Sequence, residues 1–442
     1  MTQREASRRV AERLREAGHN ALWVGGCVRD TLLGLGAKDH DLATDARPEQ
    51  VESMFDHVDF VGAAFGVCLV REGDHTIEVA TFRSDGRYSD NRRPDAVRFG
   101  TIEEDARRRD FTVNALFMDP LTEEVTDLVG GLADLGAKTL RCVGDPRERF
   151  AEDHLRLLRA VRFAARLDFR IEGETLEALR ELAPRVTTVS GERICEELRR
   201  MLEHATRQRA FDLLDETGLL AHVLPEVEAL RGVEQSPNLH PEGDVFVHTR
   251  LMLEHFAPDA PFELVLGGLL HDVGKAPTHA VVDGVHRFPL HQRVGEEMAE
   301  AVCRRLKMST EQTRHVCGLV ARHMKFLDLP AMRRSTRARF LGGPHIEDLI
   351  ELHRVDILAS CGNLAHHALA LEELARLREE TQGREGLPEP LLRGRDLLDL
   401  GMSPGPAVGA LLREIETEQL EGHLTTREEA LEHARRRIAE TL

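Results

Sequence analysis

Near Phe150 the sequence changes period, and the change divides the chain into two kinds of structure. From residue 22 to about 140, short β-type runs at 60–61, 67–70 and 76–82 are punctuated by glycine and charged turns, which predicts an α/β head. Beyond Phe150, Leu, Ala and Arg recur at three- and four-residue spacing, so everything downstream is expected to be essentially all-α. At 442 residues the chain exceeds one ordinary hydrophobic core, and several modules in line follow. Residues 232–244, with Ser236-Pro237-Asn238, and residues 381–390, rich in Gly, Pro and Glu, read as connections. The expected organisation is a head at 1–140, a helical neck and body at 141–232, an all-α domain at 240–375 and a helical tail at 390–442. The fold class is α+β, with a mixed sheet confined to the head. Residues 1–18 read as an amphipathic helix around Val10, Leu14 and Ala17. In the tail, Pro404-Gly405-Pro406 precedes one helix, and a capping box of Thr426 with Glu429 precedes another.

Composition excludes several classes. The chain is 41% hydrophobic, yet no apolar run is long enough to cross a bilayer and the first thirty residues carry no apolar core, so a soluble chain with no membrane partner and no export signal is expected. Seven cysteines occur without a CxxC pair, which indicates neither a zinc ribbon nor a disulfide framework; a reducing cytoplasm fits. A net charge of −18 argues against a surface coated for nucleic acid, so any RNA contact must be local. Arginine clusters at 92–93, 107–109, 156–166 and 333–339, and the last cluster reads as a solvated helix face.

The chemistry begins at Leu22-Trp23-Val24-Gly25-Gly26-Cys27-Val28-Arg29-Asp30, a strand, a glycine turn and a helix. Such a turn lets backbone N–H groups approach a triphosphate, and the helix N-terminus favours its charge. Lys38-Asp39-His40-Asp41 follows. Within a strand, Asp39 and Asp41 present paired carboxylates to one side, and two like charges that close need a cation such as magnesium, which takes oxygen ligands. A two-metal site of this kind stabilises attacking and leaving oxygens in phosphoryl displacement. Glu78 is either a third carboxylate or an ion-pair partner of Arg83 or Arg29. Arg107-Arg108-Arg109, ahead of Asn114, reads as a clamp for ribose and phosphates or as a solvated face. At Glu152-Asp153-His154-Leu155-Arg156, a helix would place Glu152, Arg156 and Arg159 on one stripe with Asp153 beside Arg156. A carboxylate and a guanidinium side by side can hydrogen-bond the Watson–Crick edge of a base without a nucleic-acid template.

The second half carries His248, then His271-Asp272-Val273-Gly274-Lys275, then His291, His323 and Asp356. Adjacent His and Asp at a helix end bind one metal or bridge two, with a distant His and Asp completing the shell.

The ordered series GGCVRD, KDHDLATDARPE, VGAAFGV, EVATFR, RRDFTVNAL, DLVGG, EDHLRLLRAVRF and GERICEEL resembles the class II CCA-adding tRNA nucleotidyltransferases and bacterial poly(A) polymerases of the polymerase-β superfamily. It spans roughly the first half of the chain. The resemblance implies that Asp39 and Asp41 bind catalytic magnesium and that Gly26 and Arg29 hold the triphosphate. It implies that Arg109 contacts the nucleotide, and that Asp153 and Arg156 read CTP or ATP with Arg159 and Arg162 assisting. The tRNA 3′ hydroxyl would attack the α-phosphate and pyrophosphate would leave. The full-length loop at 84–97, with Asp85-Gly86-Arg87-Tyr88 and Arg92-Arg93-Pro94, resembles the element that switches such enzymes to ATP for the last addition. The second half resembles the HD phosphohydrolases, whose metal ligands would fall on His248, His271, Asp272 and Asp356. His291 and His323 match extra ligand positions of some branches. That resemblance implies phosphoester hydrolysis with Ni2+, Mn2+, Co2+ or Mg2+. Three functions follow: CCA addition with a phosphohydrolase, A-only or poly(A) addition, or HD hydrolysis with a tRNA-binding head.

Overall fold

A computed structural model describes every residue except 38, 61–65, 86–96, 238–239, 361 and 442. It divides into two units, Met1–Pro225 and Glu226–Leu442. The expectations placed on Lys38, on the VGAAFGV segment, on most of the loop at 84–97 and on Cys361 lie outside the described residues.

Among the described residues, nine strands build the head: β1 (Ala21–Val24), β2 (Leu42–Thr44), β3 (Val58–Phe60), β4 (Val67–Glu72), β5 (His75–Thr81), β6 (Arg83–Asp85), β7 (Val97–Phe99), β8 (Leu116–Met118) and β9 (Val125–Asp127). Seven form one sheet in the order β3-β4-β5-β2-β1-β8-β9, while β6 and β7 pair separately. All neighbours in the large sheet are antiparallel except β2 and β5, which run parallel with Leu42 opposite Val79. The sheet is therefore mixed, as the pattern of the head implies.

The helix Gln3–Glu16 starts at a Thr2–Glu5 capping box and buries Ala6, Ser7, Val10, Ala11 and Leu14. Ser7 accepts a hydrogen bond from Trp23 Nε1 (2.9 Å) and donates one to the His40 carbonyl (2.7 Å). The His40 ring is buried edge-on against Trp23 and meets Gln3 through Nδ1 (2.9 Å). This anchors the segment ahead of β2: His40 is buried, Asp39 is exposed and Asp41 half-buried. Asp39 and Asp41 thus precede the strand rather than lying within it, a correction to the sequence reading, and it is the packing of His40 that holds them.

Helices dominate after Phe150, with two departures from the all-α expectation. Strands β10 (Thr139–Leu140) and β11 (Arg170–Ile171) pair in parallel. A hairpin of β12 (Ala280–Val282) and β13 (Val285–Arg287) turns through Asp283 and Gly284, both at positive φ, as a two-residue hairpin turn requires. The arginines at 333–339 lie on a partly solvated face, as expected, but three of them also form ion pairs. Arg334 pairs with Glu380 (2.5 Å), Arg337 with Glu373 (3.6 Å) and Arg339 with Glu416 (2.9 Å), so they tie the helix Arg334–Leu341 to two later helices. Among the described residues, no helix is long and apolar enough to cross a membrane.

In the second unit the turn after His271-Asp272 lies directly against the helix His291–Arg305. A Cβ on Gly274 would stand 2.0 Å from the His291 carbonyl oxygen and 2.7 Å from Gly295 N, both backbone atoms. Gly274→Ala is therefore expected to destabilise the chain by about 3 kcal/mol through overpacking, read by urea unfolding. An unchanged midpoint would mean that this close approach does not exist in solution.

Candidate functional site

In the head, a cavity of about 370 Å3 opens beside the glycine turn. Gly25 (φ 75°) ends β1 and the helix Gly26–Leu32 begins there; both glycines line the cavity. Six arginines converge on it: Arg29, Arg108, Arg109, Arg156, Arg159 and Arg193. Each is held by an acceptor. Arg29 is bound by Asp30 (2.6 Å) and donates to Asn114 Oδ1. Arg108 and Arg109 both grip the buried Asp105, at 2.7 and 2.8 Å. Burial alone would raise the Asp105 carboxyl, but Arg109 and Arg108 hold it below the ordinary aspartate value. Arg159 binds Asp110 Oδ2 (2.6 Å), and Asn114 donates to Asp110 Oδ1 (3.1 Å). Against the effect of burial, Arg159 and Asn114 bring Asp110 down to about 2.

The expected single helix through Asp153 is broken. One helix, Pro146–Glu152, ends there and another, Leu155–Leu167, begins after it. Asp153 is extended (φ −145°, ψ 105°), because its Oδ1 accepts from Leu155 N (3.0 Å) at the start of the second helix. Its carboxylate is clasped by Arg193 (2.7 and 3.1 Å), whereas Arg156 pairs with Glu152 and donates to the Arg149 carbonyl (2.9 Å). Asp153 and Arg156 therefore line one cavity, each with a partner of its own. Arg162 does not line it. Its guanidinium is buried against Phe163 and bound to buried Glu197 (2.6 Å), since the helix has turned it inward. The sequence reading missed Asp105 and Arg193 as supports. Asp105 was detectable from its three- and four-residue spacing to Arg108 and Arg109 on a helix. Arg193, forty positions from Asp153, carried no spacing signal.

Asp39 and Asp41 stand at the edge of this site, where the Asp41 carbonyl accepts from Val24 N (3.2 Å) beside the glycine turn. The parallel pairing of β2 with β5 brings Glu78 alongside. Burial pushes the Asp41 carboxyl up to about 6, reinforced by the charges of Glu78 and Asp39 and opposed by Arg109. A half-buried carboxylate crowded by two others suits a hard cation with oxygen ligands. Arg29 is committed to Asp30 and Asn114, so it is not the ion-pair partner of Glu78.

In the second unit, His248, His271, His291 and His323 cluster with Asp272 and Asp356, and four of these, Asp272, His291, His323 and Asp356, line a cavity of about 600 Å3. His271, His291 and His323 each point Nδ1 at a backbone carbonyl, those of Gly268 (2.7 Å), Phe288 (3.0 Å) and Val320 (2.7 Å). Their Nε2 atoms then face the carboxylates. Asp272 Oδ2 lies 3.1 Å from His271 Nε2 and 2.7 Å from Lys275 Nζ. Its Oδ1 lies 3.4 Å from His291 and 3.7 Å from His323. Asp356 Oδ1 is 3.0 Å from His248 Nε2 and 4.0 Å from His271. Burial would lower His248, but Asp356 and Glu242 carry it up to about 9; burial and neighbouring His271 push His323 down to about 3. A donor set of imidazoles and carboxylates suits a transition ion. The structure brings His248, His271, Asp272 and Asp356 together with His291 and His323.

Residues 21–141 match the Poly A polymerase head domain, 168–230 the probable RNA- and SrmB-binding site of polymerase A, and 244–358 the HD domain. The fold and sites thus define a polymerase-type nucleotidyltransferase head followed by an HD domain. The CCA-adding enzyme of Bacillus velezensis is 42% identical over 227 residues, which cover 51% of this chain and 56% of that protein. The chain thus aligns with only about half the length of this and similar relatives. The CCA-adding enzyme of Levilactobacillus brevis is 32% identical over 97% of this chain and 96% of its own length. The crystal structure of the Bacillus stearothermophilus CCA-adding enzyme in complex with CTP superimposes over 100% of both chains, with a TM-score of 0.73 at 26% identity. The chain belongs to the CCA-adding enzyme family.

The crowding of Asp41 has a sign that can be measured. Its folded value lies above the 3.8 of a free aspartate, so stability is lost as pH rises from 3.8, and the full cost of the ionised carboxylate is present above about 6. Asp41→Asn is expected to stabilise the metal-free protein at pH 7 by on the order of 1–2 kcal/mol. The gain should vanish below about pH 4, where the carboxyl is protonated in both states; calorimetry in EDTA across this range checks it. Arg162→Ala, by contrast, leaves Glu197 buried and unpaired and should cost about 3–5 kcal/mol in urea unfolding. A neutral result would return Arg162 to the cavity.

Proposed function

We propose that this chain adds CTP, CTP and ATP to the 3′ end of tRNA by template-independent nucleotidyl transfer with release of pyrophosphate, and that its HD centre hydrolyses phosphoesters. The observation that carries the first activity is the convergence of six guanidiniums on a cavity beside three crowded carboxylates. Gly26, Arg29 and Arg109 hold the triphosphate at the helix N-terminus. Asp153 and Arg156 offer acceptor and donor atoms to the base edge, which is how CTP and ATP are recognised without a nucleic-acid template. Arg159 acts through Asp110, and Asp110 through Asn114, to keep Arg29 in place. Asp39 and Asp41, with Glu78 as a third carboxylate, would hold magnesium. A cation bound there supplies charge stabilisation to an in-line displacement, and catalysis rests otherwise on positioning.

At the HD centre, His248, His271, Asp272 and Asp356 would hold a divalent ion such as Ni2+, Mn2+, Co2+ or Mg2+. His291 and His323 face the free oxygen of Asp272. A bound ion there supplies polarisation of a phosphoryl group, while Lys275 and the cavity wall orient the ester. The domains are taken as head 1–140, neck and body 141–232, HD domain 240–375 and tail 390–442; the three matched spans support the first three. A cytoplasmic location fits this reading, since the cysteines are free wherever described.

The test is incorporation of labelled CTP and ATP, with magnesium, on tRNAs lacking CCA, ending in CC, or mature. Two cytidines and then one adenosine, with no further growth, is the expected product. Adenosine added only to the CC end would make the chain an A-adding enzyme, and long adenosine tails a poly(A) polymerase. Asp39→Ala is expected to abolish incorporation and retain metal-dependent phosphoester hydrolysis, and Asp272→Ala to do the reverse. Loss of both activities in either folded variant would overturn the two-site assignment.

A further inference from the structure

Three of the four imidazoles at the HD centre fix Nδ1 on a main-chain carbonyl, but His248 does not. Its Nδ1 lies 2.8 Å from Oε1 of Glu242, a residue in the connection ahead of the helix Val245–His255. The same oxygen lies 2.9 Å from Nδ1 of His240, whose ring stands edge-on to that of His248 and lines the cavity. The Glu242 side chain is only 8% exposed, and its Oε2 is buried without a hydrogen-bond partner. Among the described residues no lysine or arginine forms an ion pair with it. A buried carboxylate without such a partner is costly unless other positive charge lies close. Here the neighbours are two imidazoles, one of which has its far nitrogen in the cluster of Asp356, His271 and Asp272.

We infer that Glu242 is the positioning residue of the HD metal centre. This rests on the reading of that cluster as a metal site. Glu242 accepts the Nδ1–H of His248, which fixes the tautomer and leaves the Nε2 lone pair facing the metal position. Its negative charge makes the imidazole a stronger donor to the ion. By taking the Nδ1–H of His240 on the same oxygen, it also fixes a second imidazole on the cavity wall, where a phosphoester enters.

The experiment uses the full-length protein and Co2+ as the probe, with affinity from equilibrium dialysis and coordination from the visible spectrum. Glu242→Ala is expected to weaken Co2+ binding about 10–100-fold and to change the spectrum. Glu242→Gln, whose amide oxygen accepts the same N–H, should recover most of the affinity. If the alanine variant does not fold, Glu242→Asp, which withdraws the carboxylate by one methylene, should show the weakening instead. Asp272→Ala is the control and should abolish binding. A lower melting temperature of the metal-free variants, with wild-type Co2+ affinity and spectrum, would make Glu242 merely structural and overturn the inference alone. Co2+ binding equal in wild type and Asp272→Ala would overturn the metal-centre reading, and this inference with it.

Discussion

Six guanidiniums cannot be gathered around one small cavity unless their mutual repulsion is offset, and the buried carboxylate of Asp110 is where that balance is set. It takes Arg159 on one oxygen and Asn114 on the other, and Asn114 reaches Arg29 on the helix after the glycine turn. One hydrogen-bonded chain thus connects the helix after the glycine turn to the helix Leu155–Leu167. Asp105, gripped by Arg108 and Arg109, performs the same task for the neighbouring wall. Because each arginine already has an acceptor, the cavity is organised before a polyanion arrives. The ordering entropy of long side chains is then lost in folding rather than in binding.

The carboxylates at the edge of this cavity follow the opposite logic. Asp41 is crowded by Glu78 and Asp39, and Arg109 only partly offsets them. The segment stays in place because His40, between the two aspartates, is locked into the core by Trp23, Ser7 and Gln3. The packing of His40 in the core therefore helps to hold these like charges close together. Strain of this kind at a site, compensated elsewhere in the fold, is the signature of a place shaped for a ligand rather than for stability.

What could be read from the sequence follows from the range of the interactions involved. The glycine turn, the paired aspartates and the His-Asp pair are local patterns, and the structure sets each beside the cavity or cluster that the pattern suggests. The alternation of the head and the caps at Thr2 and Thr426 are equally local. The hairpin at Asp283-Gly284 was also legible as a turn signal between valine runs, but the surrounding helical period obscured it. Arg193 on Asp153, Asp110 on Arg159, Glu380 on Arg334 and Glu416 on Arg339 were not legible. Each joins residues 40 or more positions apart, and a charge on a helix gives no sign of its distant partner. The break at Asp153 was hidden for a related reason. Helical period continues on both sides of it, and only the capping of Leu155 by its side chain reveals the gap.

The two units reach their chemistry by complementary means. In the head, cationic side chains are fixed by buried acids, so the unmet need is for an anion. In the HD centre, imidazoles are fixed by main-chain carbonyls, and their free nitrogens converge with Asp272 and Asp356, so the unmet need is for a cation. His323 is driven toward neutrality by burial and by His271, while Asp272 is held ionised by His271 and Lys275 in spite of burial. Neutral His323 beside ionised Asp272 is the protonation state a metal ion requires of its ligands, whereas His248, raised by Asp356 and Glu242, would have to release a proton to bind one. The same burial that would make an isolated charge prohibitive thus prepares this cluster, because the groups differ in sign and proton affinity and each removes part of the other's desolvation cost.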